Sequence, residues 1–546
     1  MKRLASIFAA LFLLFTPVSA RTDVGVIIPK PDRLQRAEGE FVLTAGTHYV
    51  SETPLSQNAV DYLQQHLSQN AGYTLGQAAF PQENNLLFKY NGELGEEAYR
   101  LQVTAKQITL EARSEAGFFY GMMSLMQLMP PAIWGEESVH TSRDKWPVGA
   151  CTIEDSPRFR WRGMMLDSSR NFFSKAYVKK FIDRLAQHKI NVFHWHLTDD
   201  EGWRIEIKKY PLLTAVGARR GPGTKLPFSL YPAMRGPKEK VQEGYYTQED
   251  IREIVAYAQR RSVRILPEID IPGHAKAAVT AYPALLQDPD DKSRYTSVQK
   301  ITNNTIDAGL ESSYVFMEEV IKEVAALFPF GYIHLGGDEI PGGAWRQSPS
   351  IAKLMQREGF RNMKEVQAYF FNRMDRILAK YGRRMIVWQE ACTDYNTLRH
   401  ESIFMAWRGD GHGVKAAQNR RNVIMSPAQY LYFDQQYIKK KSEPGHTWAG
   451  PTDTEKVYAY RPIPESAAPE TASFVQGVHG CLWTETALNE AIADYLAWPR
   501  IFALAEIGWS EQDRRRWDDF RERMIGSGLQ RLAAQKVKYR QPDINN

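Results

Sequence analysis

Cysteine is scarce: Cys151, Cys392 and Cys481 are the only three in 546 residues, far apart and with no C-x-x-C pair. That excludes a zinc-finger site and a disulfide framework, and an odd count leaves at least one thiol unpaired. Long runs of one charge sign are also missing. The formal charge of +6 is the small difference between 69 basic and 63 acidic residues, so no nucleic-acid footprint is present, and Lys439, Lys440 and Lys441 read as a solvated loop. No G-x-G-x-x-G or Walker sequence opens a helix, which removes the usual phosphate-binding loops. The apolar run of the N-terminus, Leu4 to Phe15, is shorter than the roughly 20 residues that a spanning helix needs.

What that N-terminus does have is Lys2 and Arg3 ahead of the apolar run, then Pro17 and small residues to Ala20. This is the layout of a cleavable export signal over residues 1–20, with a mature chain starting near Arg21 and no membrane span once the signal is removed. The expected location is the periplasm of a Gram-negative source, or the medium otherwise. Hydrophobic content of 43% and charged content of 24% fit a packed protein, and 546 residues suggest two domains.

From residue 21 to 151 short alternating runs such as "YRLQVTAKQITLEA" mix with the apolar segment "GFFYGMMSLMQLM", whose length favours a buried helix. A small α+β domain is expected there. Residues 152–546 follow a different grammar: eight apolar runs, "GMMLD", "INVFHWHLT", "VRILPEID", "GYIHLGG", "RMIVW", "SIFMAW", "NVIMS" and "VHGCLW", separated by helical patterns. In one of these, "TQEDIREIVAYAQRR", Thr247 and Asp250 suit a capping box and Ile251, Ile254, Val255 and Ala258 form one stripe. In another, Val366, Phe370, Met374 and Ile377 face one way and Gly382 can close the end. Eight strand-helix units predict an α/β fold, a (β/α)8 TIM barrel preceded by a small α+β domain, with a doubly wound sheet as the rival.

In such a barrel the chemistry sits at the C-terminal ends of the strands, where this chain gathers Asp167, Arg170, Asp199, Asp270, His274, Asp338, Glu339, Gln389, Glu390 and Glu485. Asp338 and Glu339 are adjacent, and on an ideal strand they would point to opposite faces. Gly336 and Gly337 permit a departure from strand geometry that would bring both carboxyls to one pocket, where repulsion and desolvation separate a neutral acid from a charged partner. A surface turn with solvated acids is the alternative for the tetrapeptide alone. Trp388, Trp407 and Trp483 each end a run, as the aromatic walls of a sugar pocket would. A metal-dependent amidohydrolase-like barrel that deacetylates amino sugars competes, with His194, His196, His274 and Asp338 as its metal set.

The motif "HLGGDE" resembles the signature of glycoside hydrolase family 20, the β-N-acetylhexosaminidases. The likeness continues through "RGMMLDSSR", "HLTDDEGWR", "EIDIPGH", "VWQEA", "YFD" and "LWTE" in order, from about Pro157 to Ser510. The resemblance implies an exo-acting, retaining enzyme that uses the substrate's own acetamide as nucleophile, needs no cofactor or metal, and acts on N-acetylhexosamine-containing oligosaccharides as a monomer or homodimer. Glu339 would be the general acid and base, and Asp338 would hold the acetamido N–H. Tyr432 would bond the acetamido carbonyl, with Trp388, Trp407 and Trp483 around the methyl and sugar face. Arg170, Asp434 and Glu485 would bind hydroxyls of the terminal sugar, and Asp199 with His274 would form a supporting pair. Many members read Arg-His-Phe where this chain has Arg170, Asn171 and Phe172, which implies a change of polarity beside the subsite. Residues 217–246 and 436–460, rich in Gly, Pro and Lys, are expected near the rim or a dimer surface.

Overall fold

The computed structural model of the chain describes residues 25–135, 145–226, 240–392, 394–465 and 467–542. The expected export signal lies outside them, as do residues 227–239 of the first rim segment. No helix among the described residues is long and apolar enough to cross a membrane.

The first unit is a mixed seven-stranded sheet, in which the alternating stretch "YRLQVTAKQITLEA" forms the antiparallel pair Tyr99–Val103 and Gln107–Ala112. The apolar segment is the helix Glu115–Leu128, started by Ser114, whose hydroxyl accepts from Gly117 N–H. It is apolar all round because it is covered on both sides. One face packs on the sheet, and Tyr120 on the other reaches Trp509 of the second unit at 5.4 Å. The strand Trp146–Asp155 pairs with both Arg33–Leu43 and Tyr99–Val103, so the sheet runs four residues past the boundary expected at 151.

That extension carries a buried junction. Asp155 accepts from Lys189 Nζ at 2.7 Å, Tyr99 Oη at 2.6 Å and Trp509 Nε1 at 2.8 Å. Three donors from both units on one carboxylate hold them together, since an unpaired buried charge would cost several kcal/mol, about 3–5.

The second unit is a closed barrel of eight parallel strands: Trp161–Asp167, Val192–His196, Arg264–Glu268, Tyr332–His334, Arg384–Trp388, Ile403–Ala406, Val423–Met425 and Val475–Leu482. Each corresponds to one of the eight apolar runs, and closure excludes the doubly wound sheet. The helix Gln248–Gln259 begins with the Thr247–Asp250 capping box and buries Ile251, Ile254, Val255 and Ala258. The helix Met363–Lys380 ends just before Gly382, whose φ of 66° is the left-handed turn that glycine accepts.

The barrel interior is polar at its centre. Glu268, fully buried on the third strand, lies 3.0 Å from His194 Nε2, 2.9 Å from His334 Nδ1 and 3.0 Å from Trp388 Nε1, and also pairs with His196 Nδ1. A buried carboxylate needs such donors. All three cysteines are buried free thiols.

Candidate active site

The fourth strand stops at His334, and the chain then turns through Gly336 at φ 62° and Gly337 at φ 94°. Neither position admits a side chain: a Cβ on Gly336 would lie 1.7 Å from Asp270 Oδ1, and one on Gly337 would lie 2.7 Å from both Ala391 Cβ and the Phe371 ring. Glu339 itself holds a left-handed φ of 46°, a conformation that costs a non-glycine residue about 1–3 kcal/mol. The departure from strand geometry expected of "GGDE" is therefore present, and it delivers both acids to one place.

That place is a cavity of about 490 Å3, lined by Asp338, Glu339, Arg170, His274, Trp407, Tyr432, Asp434, Trp483 and Glu485. Its size falls within the roughly 300–1,000 Å3 of small-molecule sites. Nine of the eleven residues to which the family resemblance assigns a role meet there. The other two stand directly behind. Asp199 supports His274 and Arg170 from below, and Trp388 is wholly buried in the layer under the floor, 6.0 Å from the Trp483 ring, with its N–H on Glu268.

His274 connects the acids to the barrel. Its Nδ1 is 3.0 Å from Asp199 Oδ1, while its Nε2 lies 3.6 Å from Glu339 Oε2 and 3.8 Å from Asp338 Oδ2. Burial opposes charge on this imidazole, but Asp199 more than compensates and holds its pKa well above the ordinary value. Asp199 in turn receives His196 Nε2 at 2.8 Å and Arg170 at 2.7 Å. Burial works against its charge too, yet Arg170 and His274 keep its carboxyl far below the usual range.

The two neighbouring acids have been driven apart. Burial pushes Asp338 up to about 7, with His274 opposing and Glu339 and Glu268 adding to the rise. For Glu339 burial acts in the same direction, but His274 and the Gln299 amide, donating at 2.9 Å, hold it below the ordinary carboxyl value. Between Glu339's depressed pKa and about pH 7 the pair thus shares one proton, which in the ligand-free protein sits on Asp338. Above that range both are ionised and no acid remains. We expect kcat/KM for an aryl glycoside to fall above about pH 7, with an apparent pKa that belongs to the pair. A profile flat to pH 9 would contradict this sharing.

Elsewhere on the lining Arg170 contacts Glu201 at 3.1 Å and Asp167 at 3.4 Å, and lies 4.9 Å over the Trp483 ring. Despite burial, Arg170 and His446 pull the neighbouring Glu485 down to about 2. Burial raises Asp434 to about 7, against His446 and with Glu485. Among the described residues Asp338 Oδ1, Asp434 Oδ1 and Trp407 Nε1 have no hydrogen-bond partner, and Glu485 Oε2 has only His446 Nε2, 3.7 Å away. Buried polar atoms left open around one cavity are sites for a ligand's hydroxyls and amide. Tyr432 and Trp407 stack at 12° and 6.0 Å, and Trp448 stands edge-on to both at 6.0 Å, making the apolar side.

Two expectations need correction. His194 and His196 do not form a metal set with His274 and Asp338. His196 bridges Glu268 and Asp199, and His194 faces His479 at 3.2 Å and Glu268, all beneath the cavity and sealed from it. His274 and Asp338 are the two members that reach the cavity, and His274 is committed through Nδ1 to Asp199, which favours its charged, non-ligating form. Asn171 does not reach the subsite either: its backbone N–H and side-chain amide bond to Thr484 at 3.2 and 2.6 Å, tying the first strand's loop to the eighth.

Sequence reasoning missed Gln299, Arg408, His446 and Trp448, which also line the cavity. His446 and Trp448 come from the segment 436–460, whose composition located a rim but whose individual side chains gave no periodic signal. Gln299 comes from the loop after the third strand, which carries no strand-end pattern.

Comparison with known proteins gives two family matches. Residues 159–512 match the catalytic domain of glycosyl hydrolase family 20, and residues 26–156 match domain 2 of the same family. A β-hexosaminidase of Vibrio furnissii is 39% identical over 490 residues, covering 88% of this chain and 76% of that protein. A β-hexosaminidase of Porphyromonas gingivalis is 35% identical, covering 95% of this chain and 65% of its own length. Among solved structures, an exo-β-N-acetylglucosaminidase from Vibrio harveyi in complex with N-acetylglucosamine superposes with a TM-score of 0.88 at 36% identity, over 95% of this chain and 79% of that one.

Proposed function

The chain belongs to glycosyl hydrolase family 20, and from that premise we propose that it is an exo-acting, retaining β-N-acetylhexosaminidase working by substrate-assisted catalysis. It is a glycoside hydrolase, and its substrates are N-acetylhexosamine glycans. The observation that carries the mechanism is the turn at Gly336 and Gly337, which sets two adjacent acids of opposite proton affinity against one aromatic-walled cavity.

The substrate's acetamido N–H donates to Asp338, which favours the ionised form of that carboxyl. The shared proton then passes to Glu339, beside the glycosidic oxygen. Glu339 gives it to the leaving oxygen as the C1–O bond breaks. The acetamido carbonyl oxygen, steered by Tyr432, forms the new bond to C1 from the opposite face and leaves a cyclic oxazolinium ion. Glu339, now a carboxylate, takes a proton from water as the water's oxygen attacks C1 and the ring opens. Two inversions give retention. Cationic His274, fixed by Asp199, stabilises the ionised phases of both acids. Arg170, Asp434 and Glu485 hold the terminal sugar's hydroxyls, which closes that end of the site and restricts cleavage to the non-reducing terminus. The protein is exported by its N-terminal signal.

The test is product analysis on reducing-end-labelled chitotetraose, with muropeptide fragments and a galacto-configured analogue alongside. Stepwise loss of single terminal N-acetylglucosamine units, appearing first as the β-anomer, is the expected result. Internal cleavage, an α-anomer or release of acetate would refute the reading.

A further inference from the structure

The turn at Gly336 and Gly337 brings the Glu339 backbone to the cavity, but rotatable side-chain bonds still separate that backbone from the carboxyl. The carboxyl's two oxygens are treated unequally. Gln299 Nε2 donates to Oε2 at 2.9 Å, and His274 Nε2 stands 3.6 Å from the same atom, past the length of a normal hydrogen bond. Among the described residues no hydrogen bond reaches Oε1.

Gln299 is buried, although it sits in the loop between the third and fourth barrel strands. It occupies the middle of a closed turn. Ser297 N–H donates to Ile301 O at 2.8 Å and Ile301 N–H to Ser297 Oγ at 3.2 Å, Lys300 takes a left-handed φ of 66°, and Thr296 pairs antiparallel with Thr302. The loop is in turn tied to the chain that follows Glu339: Gln347 N–H donates to Ser293 Oγ at 2.9 Å, and the Trp345 indole N–H to Ile306 O at 3.0 Å. The amide therefore meets Oε2 from a support joined to the same scaffold as the acid. A carboxylate only accepts, so it takes the N–H end of the amide, and a bond to a charged acceptor is stronger than a neutral one.

We infer that Gln299 is a positioning residue that pins Oε2 of the general acid as the charged oxygen and leaves Oε1 to carry the proton to the glycosidic oxygen. The inference rests on Glu339 being that acid. As the Oε1–H bond breaks and the new O–H bond forms on the leaving group, the electron pair of the broken bond stays with the carboxyl. Gln299 N–H meets the charge that grows on Oε2, so the contact is stronger in the transition state than before it. Without it the carboxyl turns about its side-chain bonds, and a misplacement of about 1 Å costs on the order of 10²-fold. The loss grows with the leaving group's need for a proton.

The experiment compares Gln299→Met, which keeps the length but has no donor, with wild type and Glu339→Gln. The substrates are the phenyl, 4-nitrophenyl and 2,4-dinitrophenyl N-acetyl-β-D-glucosaminides, of falling leaving-group basicity, and N,N′-diacetylchitobiose. The readout is kcat/KM, which covers only the steps up to the first bond cleavage. Gln299→Met should lose about 10- to 100-fold on the phenyl glycoside and on chitobiose, and less than about threefold on the dinitrophenyl glycoside, so that log kcat/KM falls more steeply with leaving-group pKa. Should the methionine variant not fold, Gln299→Asn, whose amide ends one methylene short of Oε2, should steepen the slope likewise. A uniform loss along the aryl series, or none, would overturn the inference. So would a loss on chitobiose alone, which would mean that the amide holds the leaving sugar and not the acid. If Glu339→Gln steepens the slope and the Gln299 variants do not, the positioning role alone fails. If Glu339→Gln leaves the slope unchanged, the assignment of the acid fails with it.

Discussion

An aryl β-D-glucopyranoside, which lacks only the 2-acetamido group, will be turned over at least about 10⁴-fold more slowly than the matched N-acetyl-β-D-glucosaminide. A tethered nucleophile acts at an effective molarity of about 10⁵ M or more, and removing it leaves nothing of equal reach. Ordinary retaining glycosidases set a carboxylate nucleophile across the sugar, about 5–5.5 Å from the acid. Here the two central acids are successive residues gathered around one imidazole nitrogen, at 3.6 and 3.8 Å, and so stand on one side of the cavity. The cavity's other acids, Asp434 and Glu485, lie with Arg170 and His446, the group proposed to hold the sugar's hydroxyls. The effect should appear in kcat, separating it from weaker binding through loss of the acetyl contacts proposed for Trp407 and Tyr432. Comparable kcat values on the two glycosides would mean that some protein group attacks C1, and the substrate-assisted scheme would be wrong.

How much of this was legible beforehand depended on whether a feature is local in the chain. The eight strands were readable because strands buried on both faces are short apolar runs, and a polar residue at each end marks where the barrel opens. The turn at Gly336 and Gly337 was readable because adjacent acids after two glycines make sense only off the strand. The barrel's buried centre was not. Glu268, His334 and His479 each read as an isolated polar residue in an apolar run, and only closure of the barrel brings Glu268 against three imidazoles and Trp388. The same limit applies to Trp388, whose strand-end position was right but whose indole turns under the floor. Trp448 and His446 reach the cavity from a loop whose path no periodicity encodes. The boundary expected at 151 cut a strand, because the prolines and charges of "WPVGACTIEDSPRFRWRG" mask its alternation. Its first half is the alternating strand Trp146–Asp155, half covered by the sheet it completes.

Glu339→Gln should reduce hydrolysis of chitobiose by about 10²- to 10⁴-fold, the usual worth of a positioned acid. The amide keeps the volume of the carboxyl and can remain beside Gln299, so binding of the terminal sugar should change little. What it cannot do is transfer a proton. The proton on His274 Nε2, 3.6 Å away, is held there by Asp199, itself fixed by Arg170 and His196, and is too tightly bound to serve. The second step loses its base as well. A small anion that needs no base, such as azide, should therefore restore turnover on an activated aryl substrate and yield the β-glycosyl azide. The decisive comparison is with Asp338→Asn. In the ligand-free protein the shared proton sits on Asp338, raised to about 7, and not on Glu339. If substrate binding did not move that proton, Asp338 would be the donor, and its amide variant would show the dependence on leaving group and the azide rescue. Assigning the acid to Glu339 requires the reverse: the rescue follows the Glu339 variant, while Asp338→Asn loses rate on good and poor leaving groups alike, because both need the acetamide held in line.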